Sequence, residues 1–301
     1  MEYENNLILK RLFSKSMISS LIEDNCNDTF SYAINRYLKG TKVKNYYDVF
    51  CEFYKLASKQ YRMEYFYKNT LLNKLLLGRH SLRTTTALTE VPIGKSKADF
   101  VMINGKGIVY EIKTELDTLE RLENQVEDYY KAFKYVCVVT CEEHYEKLKE
   151  KLKDTKVGIC VLTRRNTIST KKEAEEEKRY LDKNVMFKVM RKNEYERIIK
   201  DNFGYLPQTT QFKYYKECYN LFEKIDIDII QKSMLAELKK RAYVEIDEYE
   251  KVPYELKFLI YFLQYKKKDY EKLNKLLKSE FGEWLNVFTI FKRETIWITC
   301  T

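Results

Sequence analysis

Two short apolar runs in the middle of the chain constrain the fold more than any other sequence feature. Tyr135–Thr140 and Val157–Leu162 are apolar along almost their whole length, and an amphipathic helical pattern over Glu142–Leu152 separates them. Strands that are apolar on both faces are typical of parallel sheets whose strands are joined by crossover helices. The runs therefore predict an α/β fold with a mixed sheet that helices cover on both faces.

Three more strands are predicted upstream of these runs. Thr84–Pro92 is rich in β-branched residues, Ala98–Ile103 is mostly apolar, and Gly107–Ile112 alternates. The dipeptide Asn104-Gly105 between the last two strands is a strong hairpin signal. The sequence therefore predicts a run of three strands ahead of the two apolar ones.

Helical patterns occupy most of the remaining chain. Leu116–Phe133 reads as an amphipathic helix after the third strand, and Tyr61–Leu77 as a helix that ends at Gly78. One short strand is expected at Val185–Met190, after a charge run that is typical of a linker or a solvated helix face. These patterns predict an N-terminal helical segment (1–60), a core (61–165), a linker with an edge strand (166–191) and a C-terminal helical region (192–301).

The composition excludes several classes of protein and supports others only weakly. With 45% hydrophobic residues, 8 Gly and 3 Pro in 301 residues, the chain can bury a core and is not disordered. We expect no signal peptide and no transmembrane helix, and the seven scattered cysteines fit a reduced cytoplasm. The net charge of +10 would attract nucleic acid, but a lysine-rich composition also follows from an AT-rich genome.

The residue inventory narrows the chemistry further. Only His80 and His144 are present, so a histidine triad or a histidine-rich zinc site is hard to build. No glycine-rich phosphate loop occurs, so ATP use is not indicated.

One carboxylate pair and a lysine fall on the predicted hairpin. Glu111 and Lys113 share one face of their strand because side chains alternate. A two-residue turn would place Asp99 opposite Tyr110 and leave Glu111 on the other face. A three-residue loop that pairs Ile103 with Gly107 would instead put Asp99 directly across from Glu111. We predict the second register.

Two carboxylates on one face repel each other, and burying them is costly without a cation. Mg²⁺ prefers such oxygen ligands and keeps waters and substrate phosphates in its shell. An ion held there polarises a phosphoryl oxygen and lowers the pKa of a bound water, while Lys113 is placed to orient that water. The hairpin therefore predicts a metal-dependent phosphodiester-cleaving site.

A polar stripe follows on the next predicted helix. Asp117, Arg121, Gln125 and Tyr129 recur every four residues and so lie on one side of a helix. Such a stripe could contact phosphates or orient the lysine of the hairpin. An exposed face with an ordinary Asp–Arg pair is the alternative, and it stays open.

At these residues the sequence resembles the PD-(D/E)XK, or restriction-endonuclease-like, nuclease superfamily. The motif reads Lys97-Ala98-Asp99, eleven residues, then Glu111-Ile112-Lys113, and Gln125-x-x-x-Tyr129 matches the motif of its RecB-like branch. The run from Glu64 to Gln125 is also similar to one small bacterial family within the superfamily. The likeness covers about Tyr61 to Leu162, and Ala98 replaces the usual proline.

The resemblance implies a three-layer core of order αβββαβ with a mixed sheet, and helical N- and C-terminal extensions. It implies catalytic roles for Asp99, Glu111, Lys113, Gln125 and Tyr129, and Mg²⁺ or Mn²⁺ bound by Asp99 and Glu111. Glu64 or Glu90 would be the additional acidic ligand, and the sequence does not choose between them. The expected nucleic-acid contacts are Arg121, Lys97 and Lys95.

The expected partner is nucleic acid, with DNA favoured, and a role in bacterial or phage conflict follows by analogy alone. A homo-oligomer or a protein partner through the C-terminal helices is left open. Glu-x-Lys also occurs at Glu176, Glu237 and Glu255, so the triplet alone carries little weight. The rival interpretations are a catalytically inactive nucleic-acid- or protein-binding module on the same fold, and an interaction scaffold built from the helical ends.

Overall fold

The structure is a computed structural model that describes residues 2–24, 27–61, 63–78 and 81–280. The chain divides into two compact units. A helical unit combines the described residues up to Asn69 with those from Val244 onward, and a sheet unit runs from Thr70 to Tyr243. Residues 281–301 of the predicted C-terminal helical region lie outside the described residues, as do Cys26, Cys300 and His80.

The helices and strands of the described residues are numbered in chain order. The helices are α1 (Glu2–Leu12), α2 (Lys15–Asp24), α3 (Asp28–Tyr37), α4 (Tyr46–Leu56), α5 (Glu64–Leu71), α6 (Leu122–Tyr130), α7 (Glu142–Lys151), α8 (Lys183–Val189), α9 (Lys192–Phe203), α10 (Gln211–Phe222), α11 (Ile227–Lys239), α12 (Ile246–Tyr249), α13 (Lys257–Leu263) and α14 (Lys267–Lys278). The strands are β1 (Thr86–Ile93), β2 (Ser96–Asn104), β3 (Lys106–Lys113), β4 (Tyr135–Thr140), β5 (Gly158–Leu162) and β6 (Ile168–Lys172). Short π-helical segments, Ala57–Tyr61 and Leu72–Leu77, follow α4 and α5, and the 3-10 turn Tyr254–Leu256 precedes α13.

Aromatic rings form much of the core of the helical unit. Phe13 stacks on Tyr65 with ring centroids 4.6 Å apart, and Phe30 stacks on Tyr46 at 5.6 Å. Helix α3 begins at Asp28, because the Asn27 side chain accepts a hydrogen bond from the Phe30 backbone N–H at 3.2 Å. Interlocking rings of this kind account for the aromatic content of the N-terminal segment.

One buried amide joins distant parts of the chain within the helical unit. The Asn69 Nδ2 donates to the carbonyl oxygen of Tyr254 at 2.9 Å, and its Oδ1 accepts from the Phe258 N–H at 2.9 Å. Because both acceptor and donor lie more than 180 residues downstream, no local sequence pattern announces this contact. It satisfies backbone groups around α13 that burial would otherwise leave unpaired.

The sheet unit contains one mixed sheet with the strand order β1-β2-β3-β4-β5-β6. β1, β2 and β3 form antiparallel pairs, β3, β4 and β5 are parallel, and β6 pairs antiparallel with β5. α6 connects β3 to β4 and α7 connects β4 to β5, as parallel neighbours require. The predicted α/β class with a mixed sheet and flanking helices is confirmed.

An apolar core lies between the sheet and its helices. Val101 of β2, Val109 of β3 and Val138 of β4 pack in one cluster. Val126 of α6 and Phe133, which follows shortly after the end of α6, belong to the same cluster. Residues of α8 to α11 belong to this cluster as well. The compact units thus group the C-terminal helices differently from the four predicted segments, and the four-segment division stays a prediction.

The prediction of a strand at Val185–Met190 is wrong, because these residues form most of α8. The Asp182 carboxylate accepts hydrogen bonds from the N–H groups of Asn184 at 2.8 Å and Val185 at 3.0 Å, which starts a helix. Met186 and Phe187 then bury on its inner face. An edge strand does exist within 166–191, but it is β6, at the start of the charge run.

The predicted helix Leu116–Phe133 is also wrong at its start, since α6 begins only at Leu122. The Asp117 carboxylate accepts hydrogen bonds from the Thr114 backbone N–H at 2.8 Å and from its hydroxyl at 2.7 Å. This contact closes a turn after β3, so Asp117 lies outside the helix and does not belong to its polar stripe.

Across the described ranges, no helix has both the length and the apolar character needed to cross a bilayer.

Candidate active site

The β2–β3 hairpin adopts the register that the sequence argument requires. Ile103 pairs with Gly107 and Asn104 with Lys106, around Gly105 with a φ of 71°. Phe100 pairs with Tyr110, which brings the preceding residue of β2, Asp99, opposite Glu111 of β3. The predicted three-residue loop is therefore confirmed, and Asp99 and Glu111 face each other across the hairpin.

Asp99 is half-buried and directed at the neighbouring strand. Its Oδ2 accepts a hydrogen bond from the Ile112 backbone N–H at 2.8 Å, and its backbone carbonyl accepts one from the Thr89 hydroxyl at 2.8 Å. These contacts hold Asp99 between β1 and β3. Its carboxylate is thereby fixed beside the strand that carries Glu111 and Lys113.

Glu111 is 2% exposed and is surrounded by hydrogen-bond donors. Its Oε1 accepts from Gln125 Nε2 at 2.5 Å and lies 2.9 Å from Lys113 Nζ, and its Oε2 accepts from the Tyr129 hydroxyl at 2.5 Å. Burying a carboxylate is tolerable only with such partners. The network fixes the position of the Glu111 carboxylate.

Lys113 and Gln125 complete this network. Lys113 is 7% exposed, and its Nζ donates to Gln125 Oε1 at 2.8 Å besides pairing with Glu111. Because Gln125 accepts from Lys113 and donates to Glu111, the orientation of its amide is determined. The ammonium group of Lys113 is therefore held in place by two acceptors, Gln125 and Glu111.

Tyr129 joins α6 to two strands at once. Its hydroxyl lies 2.5 Å from Glu111 Oε2 and 3.1 Å from the Lys97 carbonyl oxygen, and the side chain is fully buried. Burial, followed by the charge of Glu111 and to a smaller extent that of Asp99, raises the pKa of Tyr129 far above its usual value. Tyr129 therefore stays a neutral donor to the Glu111 carboxylate.

Glu90 lies in β1 beside Asp99. The pairs Thr89–Phe100 and Val91–Ala98 bracket it, and a carboxylate oxygen of Glu90 lies within 4.8 Å of one of Asp99. Its φ of 57° is uncommon for a residue with a side chain and is often found at functional sites. Glu90 is exposed and forms an ion pair with Lys97.

Glu64, the other candidate acid, opens α5 in the helical unit and pairs with Lys68 at 2.5 Å. The geometry of the sheet unit supports Glu90 as a neighbour of Asp99. The choice between Glu64 and Glu90 as a metal ligand stays a prediction.

The three predicted nucleic-acid contacts are all exposed in the sheet unit. Arg121 lies at the N-terminal end of α6, Lys97 near the start of β2, and Lys95 in the two-residue turn between β1 and β2. Lys97 carries the ion pair with Glu90, so its cation is offset by that acid. These positions leave Arg121 and Lys95 at the surface near the strands that carry Asp99 and Glu111.

Asp128, which the sequence patterns do not single out, fixes the turn that carries Lys95. Its Oδ2 accepts from the Lys95 backbone N–H at 3.0 Å and from the Ser96 hydroxyl at 2.8 Å, and its Oδ1 pairs with Lys131 at 2.7 Å. Burial alone would raise the pKa of Asp128, but hydrogen bonds from Lys131, Ser96 and Lys95 outweigh it and lower the pKa. The only signal in the sequence is an acid on the inner side of α6, next to Tyr129.

Comparison with known proteins gives one family and no individual relative. A family model described as Bacteriophage P4 protein cII matches residues 57–258, which is more than half of the chain. No curated protein and no solved structure matches the chain.

Proposed function

The chain belongs to the bacteriophage P4 protein cII family, and we propose that it is a metal-dependent nuclease that hydrolyses phosphodiester bonds, with DNA as the expected substrate. The family description names a phage protein and no chemistry, so support for the proposal comes from the sheet unit itself. The observation that carries it is the meeting of Asp99, Glu111 and Lys113 on one face of a hairpin, beside Gln125 and Tyr129 of α6.

This arrangement supports the resemblance to the PD-(D/E)XK superfamily in two ways. The acid of the first motif and the acid and lysine of the second lie on adjacent antiparallel strands. The Gln and Tyr of the helix motif both contact Glu111. Ordinary salt bridges on a strand face need neither the matched register nor the buried helix donors, which is why the nuclease interpretation is preferred.

The residues present fit a hard divalent cation. A carboxylate has about four lone-pair positions, and the contacts of the described residues use two on Glu111 Oε1 and one on Oε2. One position on Oε2 is left for an ion, and on the neighbouring strands Asp99 and Glu90 bring carboxylate oxygens within 4.8 Å of each other, in a group that does not include Glu111. We infer that Asp99 and Glu111 bind Mg²⁺ or Mn²⁺, with Glu90 or Glu64 assisting.

Each protein group then has a defined task. A bound divalent ion would polarise the phosphate and acidify a water. Lys113 orients the attacking water and offsets charge that develops on the phosphoryl oxygens. Gln125 and Tyr129 hold the Glu111 carboxylate in place, and Arg121, Lys95 and Lys97 contact the phosphate backbone.

A cleavage assay tests the proposal directly. We expect the full-length protein to cut single- or double-stranded DNA with Mg²⁺ or Mn²⁺ and to lose this activity in EDTA. Lys113→Ala should lower the rate by roughly 10²- to 10³-fold, as loss of a transition-state donor does. Lys239→Ala is the matched control, since Lys239 belongs to another Glu-x-Lys triplet, on α11. Activity that survives EDTA or Lys113→Ala would overturn the mechanism.

A catalytically inactive binding module is the second candidate, and one observation favours it. Lys113 already neutralises Glu111, so the network is complete without any substrate. This candidate predicts that the protein binds nucleic acid without cutting it under any metal condition, and that Asp99→Ala changes neither affinity nor phenotype.

A further inference from the structure

Helix α10 carries a row of aromatic side chains on the surface of the sheet unit. Phe212, Tyr215, Lys216 and Tyr219 recur at helical spacing and therefore lie on one face, which we call the aromatic stripe. Phe212 is 95% exposed and Tyr215 is 51% exposed. The two rings follow each other on this face, so together they form an exposed aromatic surface rather than a single exposed side chain.

The two tyrosines of the stripe are supported from below, and Phe212 is exposed beside them. The ring of Phe187, which is buried in α8, lies 5.2 Å from that of Tyr215 and 5.4 Å from that of Tyr219. Tyr195 of α9 meets Tyr215 edge-on at 6.2 Å. Since these contacts fix the two tyrosines, a ligand that stacks on them pays little to order the surface.

Cations lie at the Phe212 end of the stripe and an acid lies at its other end. Glu223, the residue after α10, accepts a hydrogen bond from the Tyr219 hydroxyl at 3.3 Å. Lys213 and Lys216 are exposed on α10 beside Phe212, and no ion pair holds either of them within the described part of the chain. A polyanion would therefore find cations on both sides of the exposed ring.

We propose that the aromatic stripe binds single-stranded nucleic acid, with an unpaired base stacked on Phe212 and adjacent phosphates on Lys213 and Lys216. Rings flanked by lysines are the combination that single-strand binding uses, because every base has a face to stack and every linkage has a charge. A duplex hides its base faces, so it cannot use Phe212 in this way. One exposed ring is also far smaller than the area that a stable protein interface buries.

The test measures binding of a fluorescein-labelled 12-mer of thymidylate to the full-length protein, in EDTA so that no strand is cut. Phe212→Ala should weaken binding about tenfold, within the range that one stacked base contributes. Phe212→Leu should lose as much, since it keeps an apolar side chain but has no ring, whereas Phe212→Trp should bind at least as well as the wild type. Ile229→Ala, which removes an exposed apolar side chain from α11, is the matched control and should change nothing.

Two further measurements separate the contributions. Lys213→Ala with Lys216→Ala should lower the slope of log Kd against log salt by about 1.4, because each lysine neutralises one single-strand phosphate. Binding of a 12-mer duplex should be insensitive to Phe212→Leu. The proposal is overturned if the wild type does not bind oligothymidylate, or if Phe212→Leu binds as the wild type does, as it would if the stripe docked a protein.

The stripe does not depend on the nuclease proposal. Loss of binding in Phe212→Leu together with an absence of cleavage in any metal would contradict the nuclease proposal and leave the stripe proposal intact. Cleavage that requires Lys113, combined with wild-type binding by Phe212→Leu, would contradict the stripe proposal and leave the nuclease proposal intact.

Discussion

The buried carboxylate of Glu111 is held by donors from its own strand and from α6. Lys113 supplies a cation from two residues along β3, while Gln125 and Tyr129 supply neutral donors one helical turn apart. The Tyr129 hydroxyl has one hydrogen and two acceptors, at 2.5 Å and 3.1 Å. The shorter distance and the negative charge assign that hydrogen to Glu111, because charge-assisted hydrogen bonds are the stronger ones.

This assignment predicts a measurable role for the Tyr129 hydroxyl. Tyr129→Phe leaves a buried carboxylate oxygen without its donor, so we expect the free energy of unfolding to fall by about 1–3 kcal/mol. Urea denaturation followed by circular dichroism measures the change. Tyr205→Phe, at an exposed tyrosine, is the control and should stay within about 0.5 kcal/mol of the wild type. Equal stabilities for the two variants would show that Glu111 does not need the hydroxyl.

At the scale of elements, the contact between α6 and the β1–β2 turn sets how the helix lies against the sheet. Gly94 has a φ of 61°, and a Cβ built there would lie 2.5 Å from Asp128 Oδ1. Asp128 cannot easily move aside, because three hydrogen bonds hold its carboxylate. The turn that presents Lys95 and the helix that presents Gln125 are thereby locked to one another.

Gly94→Ala tests this contact against a closely matched turn. Gly105 has a φ of 71° and open space around it, so Gly105→Ala should cost only the backbone strain, roughly 1–2 kcal/mol. Gly94→Ala should cost about 1–3 kcal/mol more, since it also displaces the Asp128 carboxylate from its donors. In an Asp128→Ala background the two alanine substitutions should become equal in urea unfolding. A persistent difference there would place the strain elsewhere in the turn.

The elements that the sequence predicts well are those with a short, repeating signal. The apolar run Tyr135–Thr140 becomes β4 without a shift of either end, and the alternation on β3 fixes which side chains share a face. Errors arise where one polar side chain overrides the pattern. The Asp182 carboxylate turns an apolar, strand-like run into α8, and Asp117 delays the start of α6 by closing a turn. Such caps outweigh propensity because they satisfy backbone N–H groups.

The candidate site was predictable to the extent that it is local. Asp99, Glu111 and Lys113 fall on one hairpin, so register alone brings them together, and Gln125 and Tyr129 follow from helical spacing. Asp128 was missed because its partners lie 32 and 33 residues upstream, across the sheet. A separation of 28 residues likewise hides the support that Phe187 gives to Tyr215 on α10.

At the scale of the whole molecule, the two compact units differ in how much their sequence reveals. The sheet unit is continuous from Thr70 to Tyr243, and its strands and crossover helices follow one another in predictable order. The helical unit is assembled from both sides of that stretch, through contacts such as Asn69 with Phe258. Because these partners are separated by 189 residues, no pattern of neighbouring residues marks their contact.

Binding of a divalent ion should raise the stability of the folded protein even when no substrate is present. An ion that binds only the folded state stabilises it, so 10 mM Mg²⁺ at a dissociation constant near 1 mM should add about 1.4 kcal/mol. For a unit of this size that corresponds to a rise in melting temperature of roughly 3–6 °C. Asp99→Ala should abolish the rise, measured by differential scanning fluorimetry against KCl of matched ionic strength. Glu150→Gln, at an exposed acid of α7, should keep it. The same measurement on Glu90→Gln and Glu64→Gln assigns the additional ligand, because only the acid that binds the ion can shrink the rise. An undiminished rise in Asp99→Ala would remove the metal from this hairpin.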